Sequence, residues 1–380
     1  MGRASLRRVR GDVIELTSRL VEIDSVNPAL VPGGRGEAEI ARFVRDWAAQ
    51  AGLSADVLEG TPGRPSVVVR APGWGGGRTL MLCAHMDTVG VEGMADPHRP
   101  RLEGDRLHGR GAYDMKGGLA SALLACRELA RAGLAGDVVV AAVADEEHAS
   151  LGVQEVLGAV TADAAIVTEP TELELIVAHK GFVWVEIEVR GRAAHGSRHE
   201  AGLDAIVKAG PILTALGDLD AALAARTHPR LGRGSVHASL IEGGAEMSSY
   251  PARCVIGLER RTLPGERVAD VEREVEGLLA ADGLDASHRV LLVREPFEVP
   301  EDTEVVRAVS AAAAEVLPGP PALAGAPYWA DAAFIAAAGI PTVMFGAGGE
   351  GAHAVEEWVS VDDSVAVTRA LIAAAHRLCA

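Results

Sequence analysis

The chain has 380 residues, 48% of them apolar and 23% charged, a globular balance, and at roughly 150 residues per domain this length points to two domains. Its 36 Lys and Arg against 53 Asp and Glu give a formal net charge of −17, which argues against nucleic acid as a partner because phosphate binding needs a basic stripe. Four cysteines, Cys83, Cys126, Cys254 and Cys379, stand far apart with no C-x-x-C pair, the usage of a reduced, cytoplasmic chain.

In chain order, Arg3, Arg7, Arg8 and Arg10 read as a solvated terminus, and no apolar run follows Arg7 and Arg8, so no secretory or twin-arginine leader is expected. Short runs of Val, Ile and Leu recur at residues 79–84, 138–143, 164–167 and 342–345, as strands buried on both faces require. Between the first two, Leu119, Ala122, Leu123, Cys126, Leu129 and Ala130 fall on the i, i+3, i+4 stripe of a helix that Gly133 ends. An α/β fold with a mostly parallel sheet follows.

The middle of the chain has another texture. Val185, Ile187 and Val189 alternate with Glu186, Glu188 and Arg190, the pattern of a half-exposed strand. A helix near residues 203–216, bent at Pro211, strands at 235–241 and 253–260, a helix bearing Val268, Val271, Val275 and Leu278, and a strand at 289–293 complete a β-α-β-β-α-β order. That is the order of a ferredoxin-like α+β sandwich. The expected organisation is therefore a catalytic domain in two parts, residues 1–179 and 293–380, interrupted by an inserted domain at 180–292. Residues 332–349 carry no charge, but Gly339 and Pro341 break them into helix, turn and strand, so no membrane partner is expected.

The acids and histidines fall where chemistry is expected. His85 and Asp87, then Glu146 and Glu147, then Glu169, and lastly His353 each follow a buried strand, and loops at the C-terminal ends of parallel strands converge on one crevice. Asp114 lies in Gly109-Arg-Gly-Ala-Tyr-Asp-Met-Lys-Gly-Gly118, just before the helix. Taken alone it is also a helix cap, and Glu146-Glu147 alone is also a solvated helix start. The glycines there lack the spacing and the preceding strand of a dinucleotide fingerprint. Imidazole and carboxylate without thiolate suit catalytic zinc, and a two-oxygen carboxylate such as Asp114 is able to bridge two ions about 3.5 to 4 Å apart.

In this order the segments are similar to those of the dinuclear zinc aminoacylase and carboxypeptidase family that includes acetylornithine deacetylase and succinyl-diaminopimelate desuccinylase. They are Cys83-Ala-His85-Met-Asp87-Thr-Val, residues 109–118, Asp145-Glu-Glu147, Thr168-Glu-Pro-Thr171, His179-Lys-Gly, Ala194-His195-Gly-Ser and Gly351-Ala-His353-Ala-Val-Glu-Glu, and they span nearly the whole chain. The resemblance implies two Zn²⁺ per chain, with Co²⁺ or Mn²⁺ as substitutes, one held by His85, Asp114 and Glu169 and the other by Asp114, Glu147 and His353. It implies that Glu146 is the general base that takes a proton from metal-bound water and delivers it to the leaving nitrogen. Asp87 is implied to orient the His85 imidazole by a hydrogen bond. The inserted domain matches the family's lid, which pairs two subunits into a homodimer. His195 corresponds to a lid histidine that hydrogen-bonds the developing oxyanion in the neighbouring subunit's site. Arg260-Arg261-Thr-Leu-Pro-Gly-Glu266 resembles the segment that offers an arginine to the substrate carboxylate, with Arg261 favoured over Arg260. One departure is Ser248-Ser-Tyr-Pro251, where many relatives carry Asn-x-x-Pro, so a side-chain amide expected near the substrate is replaced.

The expected activity is hydrolysis of the amide of an N-acyl amino acid by metal-bound hydroxide. A carboxypeptidase or dipeptidase acting on short peptides through the same site is the second reading, and a catalytically silent metal-dependent binding protein is the third. Retention of Glu146 counts against the third.

Overall fold

The computed structural model describes residues 3–280 and 284–380, which divide into two compact units: residues 3–177, 299–324 and 330–380, and residues 178–280 and 284–298 with 325–329. The sequence reading placed the insertion at 180–292. The second unit also takes up residues 325–329, which no local pattern announced.

At the centre of the first unit, Val138–Val143, Leu80–His85, Ala164–Val167 and Thr342–Met344 lie side by side and parallel. The first three are buried at every position, and so is the fourth, which explains why their sequences are unbroken apolar runs instead of alternating ones. Antiparallel neighbours flank this parallel core, Ser66–Ala71 and Ser54–Leu58 on one side and Leu175–His179 on the other. The helix Gly117–Ala132 buries the expected stripe and ends at Gly133, whose φ of 73° a side-chain-bearing residue rarely adopts. It packs against the sheet and against Val361–Leu378, whose first turn is capped by Ser360 Oγ accepting from Asp363 N at 3.1 Å.

Arg7 and Arg8 are exposed, as expected of a solvated terminus, but on a helix and not on a tail. Arg3–Val21 is a helix, and Arg10 pairs with Asp105 at 3.0 Å and with Asp362. Leu16 and Leu20 bury the opposite face, a helical period that the charge-rich start had masked.

A small antiparallel sheet in the same unit runs Gly349–Glu350, Trp358–Ser360, Arg106–His108, Arg101–Glu103. The pairing Trp358↔His108 brings the chain just before Asp114 beside the chain just after His353.

The second unit has strand order Ser235–Gly243, Arg253–Thr262, Gly181–Arg190, Ala286–Arg294, all antiparallel, with helices Ala205–Leu223 and Val268–Leu278 joining them. This is the β-α-β-β-α-β sandwich. Val183, Val185, Ile187 and Val189 bury one face against Ile212, Leu216, Val271 and Val275. The helix starts where Asp204 accepts from Ile206 N and Val207 N, and it runs on through Pro211 to Leu223. No helix among the described residues is long and apolar enough to cross a membrane.

Candidate metal centre

The first unit brings five of the singled-out side chains together. His85 closes the strand Leu80–His85, Glu147 follows Val138–Val143, and Glu169 follows Ala164–Val167. Asp114 comes from the kinked segment Ala112–Lys116, where its own backbone is extended, with φ of −115° and ψ of 94°. His353 does not come from the loop directly after Thr342–Met344; it sits in the hairpin between Gly349–Glu350 and Trp358–Ser360 of the small sheet, with φ of 62°. Ligand atoms of His85, Asp114 and Glu169 lie within 4.8 Å of one another, and so do those of Asp114, Glu147 and His353.

Two glycines permit this convergence. A Cβ on Gly118 would stand 2.1 Å from the carbonyl oxygen of Thr168, so the helix following Asp114 rests directly on the loop carrying Glu169. Gly351 has φ of 91° and would place a Cβ 1.8 Å from the Glu356 carbonyl, so the tight turn presenting His353 admits no side chain.

Asp114 is shared by both groups. Its Oδ1 lies 3.0 Å from His85 Nε2 and its Oδ2 lies 3.2 Å from His353 Nε2, while Glu147 Oε2 stands 3.1 Å from the same His353 nitrogen. His85 Nδ1 donates to the main-chain carbonyl of Asp87 at 2.9 Å, which turns Nε2 toward the cluster. The Asp87 carboxylate, expected to hold that imidazole, is 3.7 Å away and does something else. Its Oδ1 accepts from Glu146 N at 3.1 Å and its Oδ2 from Glu147 N at 3.2 Å, so it fixes the turn that carries both glutamates.

Behind Asp87 runs a buried polar chain the sequence did not disclose. Asn27 Nδ2 donates to Asp87 at 2.7 Å and to Asp145 at 3.0 Å; Arg64 donates to Asp145 at 2.7 Å and grips Glu37 through two bonds of 2.7 Å. Nearer Asp114, Arg110 and Glu357 form another buried pair at 2.7 Å. All are charged or polar residues whose partners are distant in sequence, so no local spacing could have found them.

The electrostatics are those of crowded acid groups. Burial, joined by the charge of Glu169, pushes the Glu146 carboxyl well above its ordinary range. Burial also raises Glu169, to about 8, and raises Glu147. Burial alone would raise Asp114 and lower His85, but the hydrogen bonds between Asp114 and the two histidines outweigh it, holding Asp114 below the usual carboxylate range and His85 well above the usual imidazole. His353 is raised to about 10 by its bonds to Asp114 and Glu147. Glu147 Oε1 is buried with no hydrogen-bond partner among the described residues. A surplus of converging carboxylates, imidazole nitrogens aimed inward and no thiolate make a donor set that fits divalent cations of the zinc, cobalt or manganese type.

The remaining singled-out residues lie in the second unit. His195 is exposed, its Nδ1 2.8 Å from Ser197 Oγ. The Ser248-Ser-Tyr-Pro251 turn is bonded to its loop, with Gly196 N donating to the Ser248 carbonyl at 2.6 Å and Tyr250 N to the Ala194 carbonyl at 2.8 Å. Arg260 is buried and committed, donating to Glu274 at 2.9 Å and to Glu266 at 2.8 Å. Reading it as an alternative carboxylate binder is therefore corrected: a guanidinium already holding two carboxylates has no free face. Arg261 bonds Glu259 at 2.7 Å over the Phe182 ring and keeps 31% of its side chain exposed.

A family model described as peptidase family M20/M25/M40 matches residues 81–377. An acetylornithine deacetylase of Myxococcus xanthus is 30% identical over 328 residues, covering 82% of this chain and 83% of that one. Among solved structures, an M20 family metallo-carboxypeptidase from Sulfolobus solfataricus superposes with a TM-score of 0.80 at 19% identity, covering 96% of this chain and 99% of that one. A dinuclear metal binding peptidase of the M20 family from Bacillus subtilis does so with a TM-score of 0.75 at 18% identity, covering 98% and 100%.

Proposed function

This chain belongs to peptidase family M20/M25/M40, a family of hydrolases, and on that premise we propose that it is a two-cation amidohydrolase cleaving the amide of an N-acyl amino acid. The observation that carries the reading is the pair of three-residue groups sharing Asp114, with Glu146 beside them and in neither. In this reading His85, Asp114 and Glu169 hold one cation, and Asp114, Glu147 and His353 the other. The chemistry two such cations supply when bound is Lewis acidity toward a carbonyl oxygen and toward water.

The chain's own groups do the rest. Glu146, held in place by the Asp87 carboxylate at its main-chain N–H, takes a proton from the attacking water and returns it to the leaving nitrogen. Its carboxyl is pushed upward by burial, joined by the charge of Glu169. His195 donates to the oxyanion, and the half-buried Arg261, whose Nε holds Glu259, takes the substrate carboxylate with its remaining nitrogens.

Because His195 is implied to serve a neighbouring subunit, the reading includes a homodimer through the lid. In its support, the strand Ser235–Gly243 is an edge strand paired on one side, and it exposes Leu240 at 74% and Ile241 at 55%. An unprotected apolar edge of this kind is the surface a second copy covers across a two-fold axis.

The test is turnover by the metal-loaded protein of N-acetylornithine, N-succinyl-diaminopimelate and a panel of dipeptides. Hydrolysis of acyl amino acids is expected, with Glu146→Gln lowering kcat by roughly 10²- to 10⁴-fold at unchanged metal content. Turnover confined to peptides would instead make this a peptidase, and intact hydrolysis in the variant would remove Glu146 from the reaction.

A further inference from the structure

Glu357 is the last residue of the hairpin loop that presents His353 and is almost fully buried, at 1% exposure. Its carboxylate does not face the cluster. Oε1 accepts from the main-chain N–H of Tyr113 at 2.9 Å and of Asp114 at 3.0 Å. Oε2 accepts from Gly111 N at 2.9 Å and from the Arg110 guanidinium at 2.7 Å. Arg110, itself buried, uses its other terminal nitrogen to donate to the Ala354 carbonyl at 2.8 Å, next door to His353.

One ion pair thus grips two chain segments that are far apart in sequence. It fixes the main chain of the residue facing both histidines, and the main chain beside the second histidine. We propose that Glu357 and Arg110 are positioning residues that set the separation of Asp114 from His353, and so govern cation affinity, Glu357 at both positions and Arg110 chiefly at the one His353 serves. The inference rests on the two-cation reading of the cluster.

The chemistry of the cradle makes Glu357→Gln informative. Every group facing the carboxylate is a donor, so the amide must turn its own N–H₂ toward either the Tyr113 and Asp114 amides or Gly111 and Arg110. The Asp114 main chain then shifts while volume is unchanged. Arg110→Lys keeps the charge but, with one nitrogen, cannot reach Glu357 and the Ala354 carbonyl together in the same geometry.

The experiment titrates metal-stripped wild type, Glu357→Gln and Arg110→Lys with Co²⁺, and separately with Zn²⁺ against a competing chelator. The visible Co²⁺ spectrum reports each position as it fills, and far-ultraviolet circular dichroism reports folding. Glu357→Gln is expected to weaken both positions by roughly 10- to 100-fold, and Arg110→Lys to weaken one by about tenfold while sparing the other. Excess metal should restore kcat in both variants with KM unchanged, which a damaged substrate site would not allow. Wild-type affinity at both positions in a folded Glu357→Gln protein overturns the inference. If that variant does not fold, Arg110→Lys decides: loss at one position supports the inference, and equal loss at both or at neither overturns it. A wild type that does not take up two ions overturns the two-cation reading itself, and the inference with it.

Discussion

Asp114 spends one carboxylate oxygen on each histidine, at 3.0 Å and 3.2 Å, and among the described residues it alone is common to both groups. Asp114→Ala is expected to lower occupancy at both positions, and elemental analysis finding two ions retained per chain would contradict the shared role. The protonation of the cluster gives a second expectation. Glu169 raised to about 8 and His353 raised to about 10 both hold protons at pH 7 in the cation-free protein. A cation binds the deprotonated forms, so affinity rises as pH rises from 6 to 8, falls in the other direction, and binding releases protons. Calorimetry in buffers of differing ionisation heat measures that release, and a pH-independent affinity would refute it. His85, Glu147 and Glu169 were legible in the sequence because each closes or follows an apolar strand, whereas Asp114 and His353, which follow no such run directly, were legible through the resemblance of their segments. Arg64, Glu37 and Asn27 were not, nor were the roles of Arg110 and Glu357 within the quoted segments, since a charged or polar side chain looks solvated until its distant partner is known. The Asp87 side chain, expected to orient the His85 imidazole, instead accepts from the Glu146 and Glu147 main-chain N–H groups.

Among the elements, the parallel strands and the helix Gly117–Ala132 were readable because burial on both faces leaves a nearly unbroken apolar run, and burial on one stripe leaves a 3.6-residue period. The antiparallel flanks and the small sheet escaped. Strands of two or three residues, such as Gly349–Glu350 and Arg101–Glu103, are too short to show alternation and exist through pairing with distant partners. The contact of Gly118 with the Thr168 carbonyl was equally silent, although it is what seats one ligand-bearing element on another. Gly118→Ala is expected to cost about 1–3 kcal/mol, since backbone must shift to admit the methyl group, and to weaken cation binding as the Asp114 turn moves from Glu169. Thermal denaturation of the metal-free and metal-loaded forms separates the two effects. An unchanged melting temperature in both would show that the two elements part without cost.

At the scale of the molecule, the exposed edge Ser235–Gly243 and the exposed His195 belong to one expectation. Leu240→Lys should yield a monomer by light scattering, through a desolvated charge on the apolar edge. The same monomer should lose turnover about as far as His195→Ala does, roughly 10²- to 10³-fold in kcat with little change in KM. A fully active monomer would separate His195 from the reaction. The division of the first unit has a consequence for synthesis. Residues 1–177 carry His85, Asp114, Glu147 and Glu169, whereas His353 lies in the last returning piece, after the entire second unit. A chain emerging from the ribosome therefore has one complete three-residue group while the other still lacks its histidine. On the two-cation reading, a nascent polypeptide halted before the final hairpin would lack both His353 and the Glu357 carboxylate that holds the Asp114 main chain, so neither position is finished until the last segment has been made.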